Sequence, residues 1–332
     1  MAHHSLEQST RRSYGSYIKR YFTYCARFAV DPLQPTYMEI AYFLAWLFDE
    51  TEVSGATAAR CLTAVSHYLA DNFIDWHRPR WVSNLLKGFR ALRPPKLRPK
   101  RPICHIFLYY IFQHFIIKNN VEYQAAWVAL LFGYWGGLRP NEFAVTRDST
   151  LLRLKDIQWN PNTDNPKEII LVLKKSKTNR CGSKFEQIPM KCRCGTKQFG
   201  KPAQCVVHAL KTYLLVRYHR FGRLRPRYPL FITQHNTPLK YDKIRRFIKA
   251  AISCIGRELD IPLDTAFYSP HCLRTGGCTD LSRAGTPAHL VSRFGRWNSD
   301  CWKQIYINLD FFDLARLRGE TVSDLRGNLF LS

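Results

Sequence analysis

Residues 94–103 read PPKLRPKRPI, with four prolines and four basic residues in ten positions. Proline fixes its own φ and donates no backbone hydrogen bond, so neither a helix nor a central strand can run through this stretch. It reads as an extended, semi-rigid linker that cannot build a core. Cores must therefore form on either side of it, in 1–93 and in 104–332. A chain of 332 residues with 46% hydrophobic content can fill both.

Before the linker the pattern is helical throughout. LEQSTRRSYGSYIKRYFTYCARF spaces apolar and aromatic residues at helical intervals, with arginines and lysines between them. PTYMEIAYFLAWLFDE opens at Pro35–Thr36, SGATAARCLTAVSHYLADNF is capped by Ser54, and PRWVSNLLKGFRALR begins at Pro79. Four such helices make a compact bundle. After the linker, NNVEYQAAWVALLFGYWGG is a helix stopped by Gly136–Gly137. LLRLKDIQW, EIILVLKKSK and KFEQIPM then read as three antiparallel strands parted by turn signals. Helices are expected over about 205–220, 241–259, 270–284, 287–296 and 299–308, with a last segment near 311–326.

Lys plus Arg total 50 against 25 Asp plus Glu, a net charge of +25. Self-repulsion of that size calls for a polyanion, and nucleic acid is the favoured one. No apolar run approaches the ~20 residues that span a bilayer, and MAHHSLEQST has no signal-peptide core. Eleven scattered cysteines suit reduced thiols inside a cell. Four soft ligands cluster in KCRCGTKQFGKPAQCVVH: Cys192, Cys194, Cys205 and His208. The favoured reading is a polar loop between strand and helix with incidental thiols, because C-x-C is tighter than the usual knuckle. The alternative is a structural zinc held tetrahedrally.

Four short stretches carry chemistry when taken in order. GGLRPNE places Arg139 just after a helix end, with Pro140 in the first turn of the next. KKSKTNRCG places Lys177 at the tip of the second and third strands, and PHCLRTGG puts His271 and Arg274 on one helix face. GRWNSDCWKQIYINL supplies Trp297 and Tyr306. A phenol with an ordinary pKa near 10 is a poor nucleophile. To cleave a phosphodiester it needs two guanidiniums on the non-bridging oxygens. It also needs a histidine to take the phenolic proton or steady an oxygen, and a lysine to protonate the leaving 5′ oxygen. Singly, Arg139 would pass as a surface residue, His271 as a cap and Trp297 as core.

Together these stretches resemble the tyrosine recombinase (phage-integrase-like) superfamily, whose pattern is Arg, Lys, His-x-x-Arg, His or Trp, and Tyr. The resemblance assigns Arg139, Lys177, His271, Arg274 and Trp297 to catalysis, Tyr306 to the nucleophile, and Glu142 to support of the first arginine. No tyrosine follows Tyr306, and the nearest before it, Tyr268, precedes the His-x-x-Arg box. Thr-Gly-Gly stands after Arg274 where many bacterial members have His-Thr, which is closer to the eukaryotic Crypton and DIRS mobile-element recombinases.

The fold so implied is mainly α with a small antiparallel sheet. A helical, SAM-like core-binding domain occupies 1–93, the basic linker 94–103, and an α+β catalytic domain 104–332, with a tail from about 310. Lys96, Arg98, Lys100 and Arg101 of the linker, and Lys174 and Lys175 of the hairpin, are expected on DNA phosphates. The implied activity is site-specific cleavage and rejoining of double-stranded DNA through a 3′-phosphotyrosyl link, for integration or excision of a mobile element, with no cofactor required. A type IB topoisomerase and a DNA-binding protein with a decayed site are the rivals. The apolar tail implies a monomer or weak oligomer in solution and a homo-tetramer on paired sites. An intracellular place follows, the nucleus in a eukaryote and otherwise the cytoplasm.

Overall fold

The computed structural model describes residues 8–94, 100–115, 120–146, 151–174, 185–194, 205–258, 260 and 262–297. The chain divides into two compact units, Met1–Arg98 and Pro99–Ser332.

The first unit holds four helices: α1 (Gln8–Phe28), α2 (Tyr37–Glu50), α3 (Gly55–Asp71) and α4 (Arg80–Leu92). Local chemistry sets their starts. The Thr36 hydroxyl accepts from the Glu39 amide at 3.2 Å, and the Glu39 carboxylate accepts from the Thr36 amide at 2.6 Å. This reciprocal cap satisfies donors that the first turn would otherwise leave open. Ser54 caps α3 by accepting from the Thr57 amide at 3.3 Å. Tyr21, Phe43, Leu47, Leu62, Val65 and Leu86 pack into a single apolar core.

The second unit is built around α6 (Val121–Trp135), which is buried on nearly every side. A helix enclosed in this way shows no amphipathic stripe in sequence. Around it lie α5 (His105–Phe115), α7 (Pro140–Phe143), α8 (Val206–Phe221), α9 (Tyr241–Glu258), α10 (His271–Arg283) and α11 (Ala288–Gly295). The sequence reading had no helix at α5. Its run HIFLYYIFQHF is apolar almost throughout, and periodicity cannot type such a stretch.

Strands β1 (Ile157–Asn160), β2 (Glu168–Leu173) and β3 (Glu186–Lys191) form an antiparallel sheet in the order β1-β2-β3. Register pairs Ile157 with Leu171, Ile169 with Met190 and Leu171 with Ile188, so one face meets the core. Pro189 is tolerated because β3 is an edge strand. The first strand is shorter than the expected 151–159. The Asp156 carboxylate accepts from the Arg153 amide at 2.8 Å and winds Leu154–Asp156 into one 3₁₀ turn.

Helix α10 carries His271 and Arg274 and is drawn tightly into the core. A Cβ on Gly276 would overlap the Ile103 carbonyl, and one on Gly277 the Tyr134 carbonyl of α6. The Thr-Gly-Gly that departs from the bacterial pattern is what lets α10 approach so closely. Asp280 fastens the same helix: its carboxylate accepts from the Tyr134 hydroxyl at 2.5 Å and from the His105 amide at 2.9 Å. Burial opposes its charge, but these hydrogen bonds win and hold its carboxyl below the ordinary range.

Candidate active site

The turn after α6 is the hub. Gly136 closes the helix, and Gly137 at φ +54° is left-handed, a backbone state disfavoured for residues with a Cβ. The Gly137 carbonyl accepts from Arg274 Nη1 at 2.9 Å and from Arg296 Nη2 at 3.3 Å. Arg274 is fully buried on α10. It also donates to the Gly295 carbonyl, and its guanidinium lies 4.6 Å from the Trp297 ring centroid. Such stacking holds a guanidinium in plane, a placement an ammonium would not keep.

Arg139 follows two residues later and caps α7. Its amide donates to Glu142 Oε2 at 2.7 Å, and its Nη1 to Oε1 at 3.1 Å. The Glu142 side chain is only 2% exposed. It also accepts from Arg296 Nη2 at 2.6 Å, so one buried carboxylate orients two arginines. Arg296 reaches further and donates to Glu186 Oε2 at the start of β3, at 2.9 Å. The cation therefore ties the end of α11 to the strand that follows the hairpin.

Arg274 and Arg296 thus share the Gly137 carbonyl, Arg139 and Arg296 share the Glu142 carboxylate, and Trp297 lies over Arg274. His271 lies one turn before Arg274, at the start of α10. Lys175, Lys177, Tyr306 and the tail from about 310 lie outside the described residues, as do Lys96 and Arg98. The remaining expected DNA contacts have protein neighbours. Lys174 pairs with Asp156 at 3.3 Å, Lys100 donates to the Ala266 carbonyl at 3.0 Å, and the Arg101 guanidinium sits 5.3 Å from the Phe267 ring centroid. Tyr268 is a packing residue: it is buried against Phe107, and burial pushes its phenol above the ordinary range.

Arg296 is the residue the sequence reading missed. Its only signal was adjacency to Trp297 in GRW, whereas its partner Glu142 lies 154 positions away. It adopts φ +51°, a left-handed state uncommon without glycine, and this turns the chain sharply at the end of α11.

The four soft ligands also converge. Nδ1 of His208 lies 3.2 Å from Cys194 Sγ, 3.3 Å from Cys205 Sγ and 3.6 Å from Cys192 Sγ, and the last two sulfurs are 3.7 Å apart. All four ligand atoms lie within 4.8 Å of one another, close enough to hold one metal ion.

Among solved structures, the chain is similar to the XerH site-specific recombinase in a post-cleavage complex with palindromic difH substrate (TM-score 0.62, 14% identity, 93% of this chain and 78% of that one). It is similar to the Tn1549 transposon integrase in complex with transposon right-end DNA (0.57, 16%, 95% and 94%). It is also similar to a lambda integrase dimer bound to a COC′ core site (0.52, 17%, 92% and 90%). No family model and no curated protein sequence matches the chain. The fold is that of the tyrosine recombinases.

Proposed function

We propose that this chain is a tyrosine-type site-specific recombinase that breaks and rejoins DNA for a mobile element. The Tyr306 oxygen bonds to the scissile phosphorus and the bond from phosphorus to the 5′ oxygen breaks. His271 takes the phenolic proton or steadies a phosphate oxygen, and Lys177 gives a proton to the leaving 5′ oxygen. Arg139 and Arg274 neutralise the charge that gathers on the non-bridging oxygens. The phosphoester is exchanged for another, so its energy is kept and no ATP is needed. A partner strand's 5′ hydroxyl then attacks the 3′-phosphotyrosyl link and releases the enzyme. The two arginines supply the charge that Mg²⁺ supplies elsewhere, so the reaction requires no metal.

The observation that supports this reading is that Arg274 is held by the carbonyl of Gly137 and Arg139, two residues further on, by the carboxylate of Glu142, so each is oriented by fixed acceptors before any DNA arrives. Preorganisation of this kind is what a transition-state clamp requires. The net charge of +25 suits the polyanion. The same reading places the protein on DNA inside the cell, in the nucleus of a eukaryotic host or the cytoplasm of another. It also assembles four protomers on paired sites, with the tail beyond about residue 310 docked on a neighbour.

The test is incubation with element-end duplexes in excess chelator, followed by a denaturing gel. Wild type should give a covalent 3′-linked adduct, and Tyr306→Phe should bind the same DNA without forming one. An adduct from the Phe variant would move the nucleophile elsewhere. Failure of wild type to form any adduct would overturn the enzymatic reading.

A further inference from the structure

We propose that Cys192, Cys194, Cys205 and His208 form a closed structural zinc site, independent of the DNA chemistry. The argument begins with one ring nitrogen. In a neutral imidazole Nδ1 is either one donor or one acceptor, so it can make a single good hydrogen bond. Three sulfurs nonetheless surround it at 3.2, 3.3 and 3.6 Å. Hydrogen bonding explains one of these contacts and leaves two without cause. A shared central cation explains all three.

The separations have the right size for that cation. Zinc bonds sulfur at about 2.3 Å and imidazole nitrogen at about 2.05 Å, so a tetrahedron has edges of about 3.8 Å between sulfurs and about 3.5 Å from sulfur to nitrogen. Four of the six edges fall on that scale, 3.7 Å from Cys192 to Cys205 and 3.2–3.6 Å to the imidazole, and the two sulfur edges from Cys194 lie within 4.8 Å. A disulfide between Cys192 and Cys205 would need sulfurs about 2 Å apart. Three thiolates and an imidazole are a donor set that favours zinc over calcium or magnesium. Four protein ligands complete the tetrahedron and leave no position for water, so the ion braces the fold and takes no part in catalysis. Binding releases the three thiol protons, and ligation through Nδ1 leaves the ring proton on Nε2.

The fold delivers the ligands from two elements. Cys192 follows β3, and its amide donates to the Lys167 carbonyl at 2.7 Å, which extends the sheet ladder. Cys205 is the N-cap of α8, and His208 lies one turn in, on the same face. Between the first two cysteines, Arg193 sits 4.3 Å from the ring centroid of Trp135, the last residue of α6 before the Gly136–Gly137 turn. The ion would therefore pin the end of β3 to the start of α8, next to the turn that carries Arg139.

Metal content of the purified full chain, prepared in reductant without an affinity tag, tests this directly. Elemental analysis should find about one zinc per chain, and a mercurial thiol reagent should release it as three thiols react. Cobalt exchanged into the site should show the intense visible bands of a tetrahedral ion together with sulfur-to-cobalt charge transfer. Cys194→Ser and His208→Ala should lower zinc content at least several-fold, while Cys254→Ser, away from the cluster, should not. If those variants fail to fold, the wild-type stoichiometry and the cobalt spectrum still decide. Metal-free wild type whose melting temperature ignores added zinc would overturn the site. So would a Cys192–Cys205 disulfide found by mass spectrometry.

Discussion

The two units bury different things. Among the described residues, every buried Asp, Glu, Arg, Gln, Ser or Thr belongs to the second unit, including Gln124, Glu142, Asp156, Arg217 and Arg274. The first unit buries apolar and aromatic side chains, and its tyrosine hydroxyls Tyr21 and Tyr24 donate to the Pro32 and Glu39 carbonyls. Charge is expensive to take out of water, and apolar residues of similar volume would stabilise as well or better. Evolution of stability alone would not keep Arg274 and Glu142 where they are. The comparison therefore separates a part whose interior is apolar packing from a part that also encloses charge, from which the proposed function draws Glu142 and Arg274.

The largest effect should come from breaking the charged cluster. Glu142→Ala takes the carboxylate from Arg139 and leaves Arg296 with Glu186 alone, and should destabilise the second unit by about 3 kcal/mol, as removal of one partner of a buried ion pair does. DNA phosphates can replace the lost carboxylate, so DNA should raise the melting temperature of this variant more than that of wild type. Equal shifts would mean the arginines do not face the DNA. A core truncation in the first unit comes next. Leu62→Ala removes a fully buried side chain and should cost about 3 kcal/mol through the cavity it leaves. DNA should give this variant no extra rescue in the same melting assay. A DNA-specific rescue here would erase the distinction between the two units.

Sequence alone foretold the first unit well because its signals are local. Thr36, Ser54 and Pro79 mark helix starts through chemistry within a few residues, and the apolar spacing of α1–α4 follows one period. Helix α5 escaped because its run HIFLYYIFQHF is almost unbroken in apolar and aromatic residues. In the site, Arg139 and Arg274 were legible from motif order, but what orients them was not. Arg296 meets Glu142 and Glu186 only after α7, β3 and α11 have packed. The Cys/His cluster was half legible: Cys205 and His208 share a helix face by spacing, whereas Cys192 and Cys194, just past β3, meet them only once the sheet has formed. Contacts between distant elements leave no periodic trace in a single sequence.

The central claim is that Arg274 is buried for the transition state and not for stability. The measurement is the single-turnover rate of covalent adduct formation by Arg274→Lys beside wild type, with melting temperatures taken on the same samples. Lysine keeps a charge and can still donate to the Gly137 or Gly295 carbonyl, so unfolding free energy should change by less than about 1.5 kcal/mol. It cannot make the planar fork or stack on Trp297 in the same way, so cleavage should fall by about 10²- to 10³-fold. Near-normal cleavage, or a loss of activity matched by a collapse in melting temperature, would contradict the account.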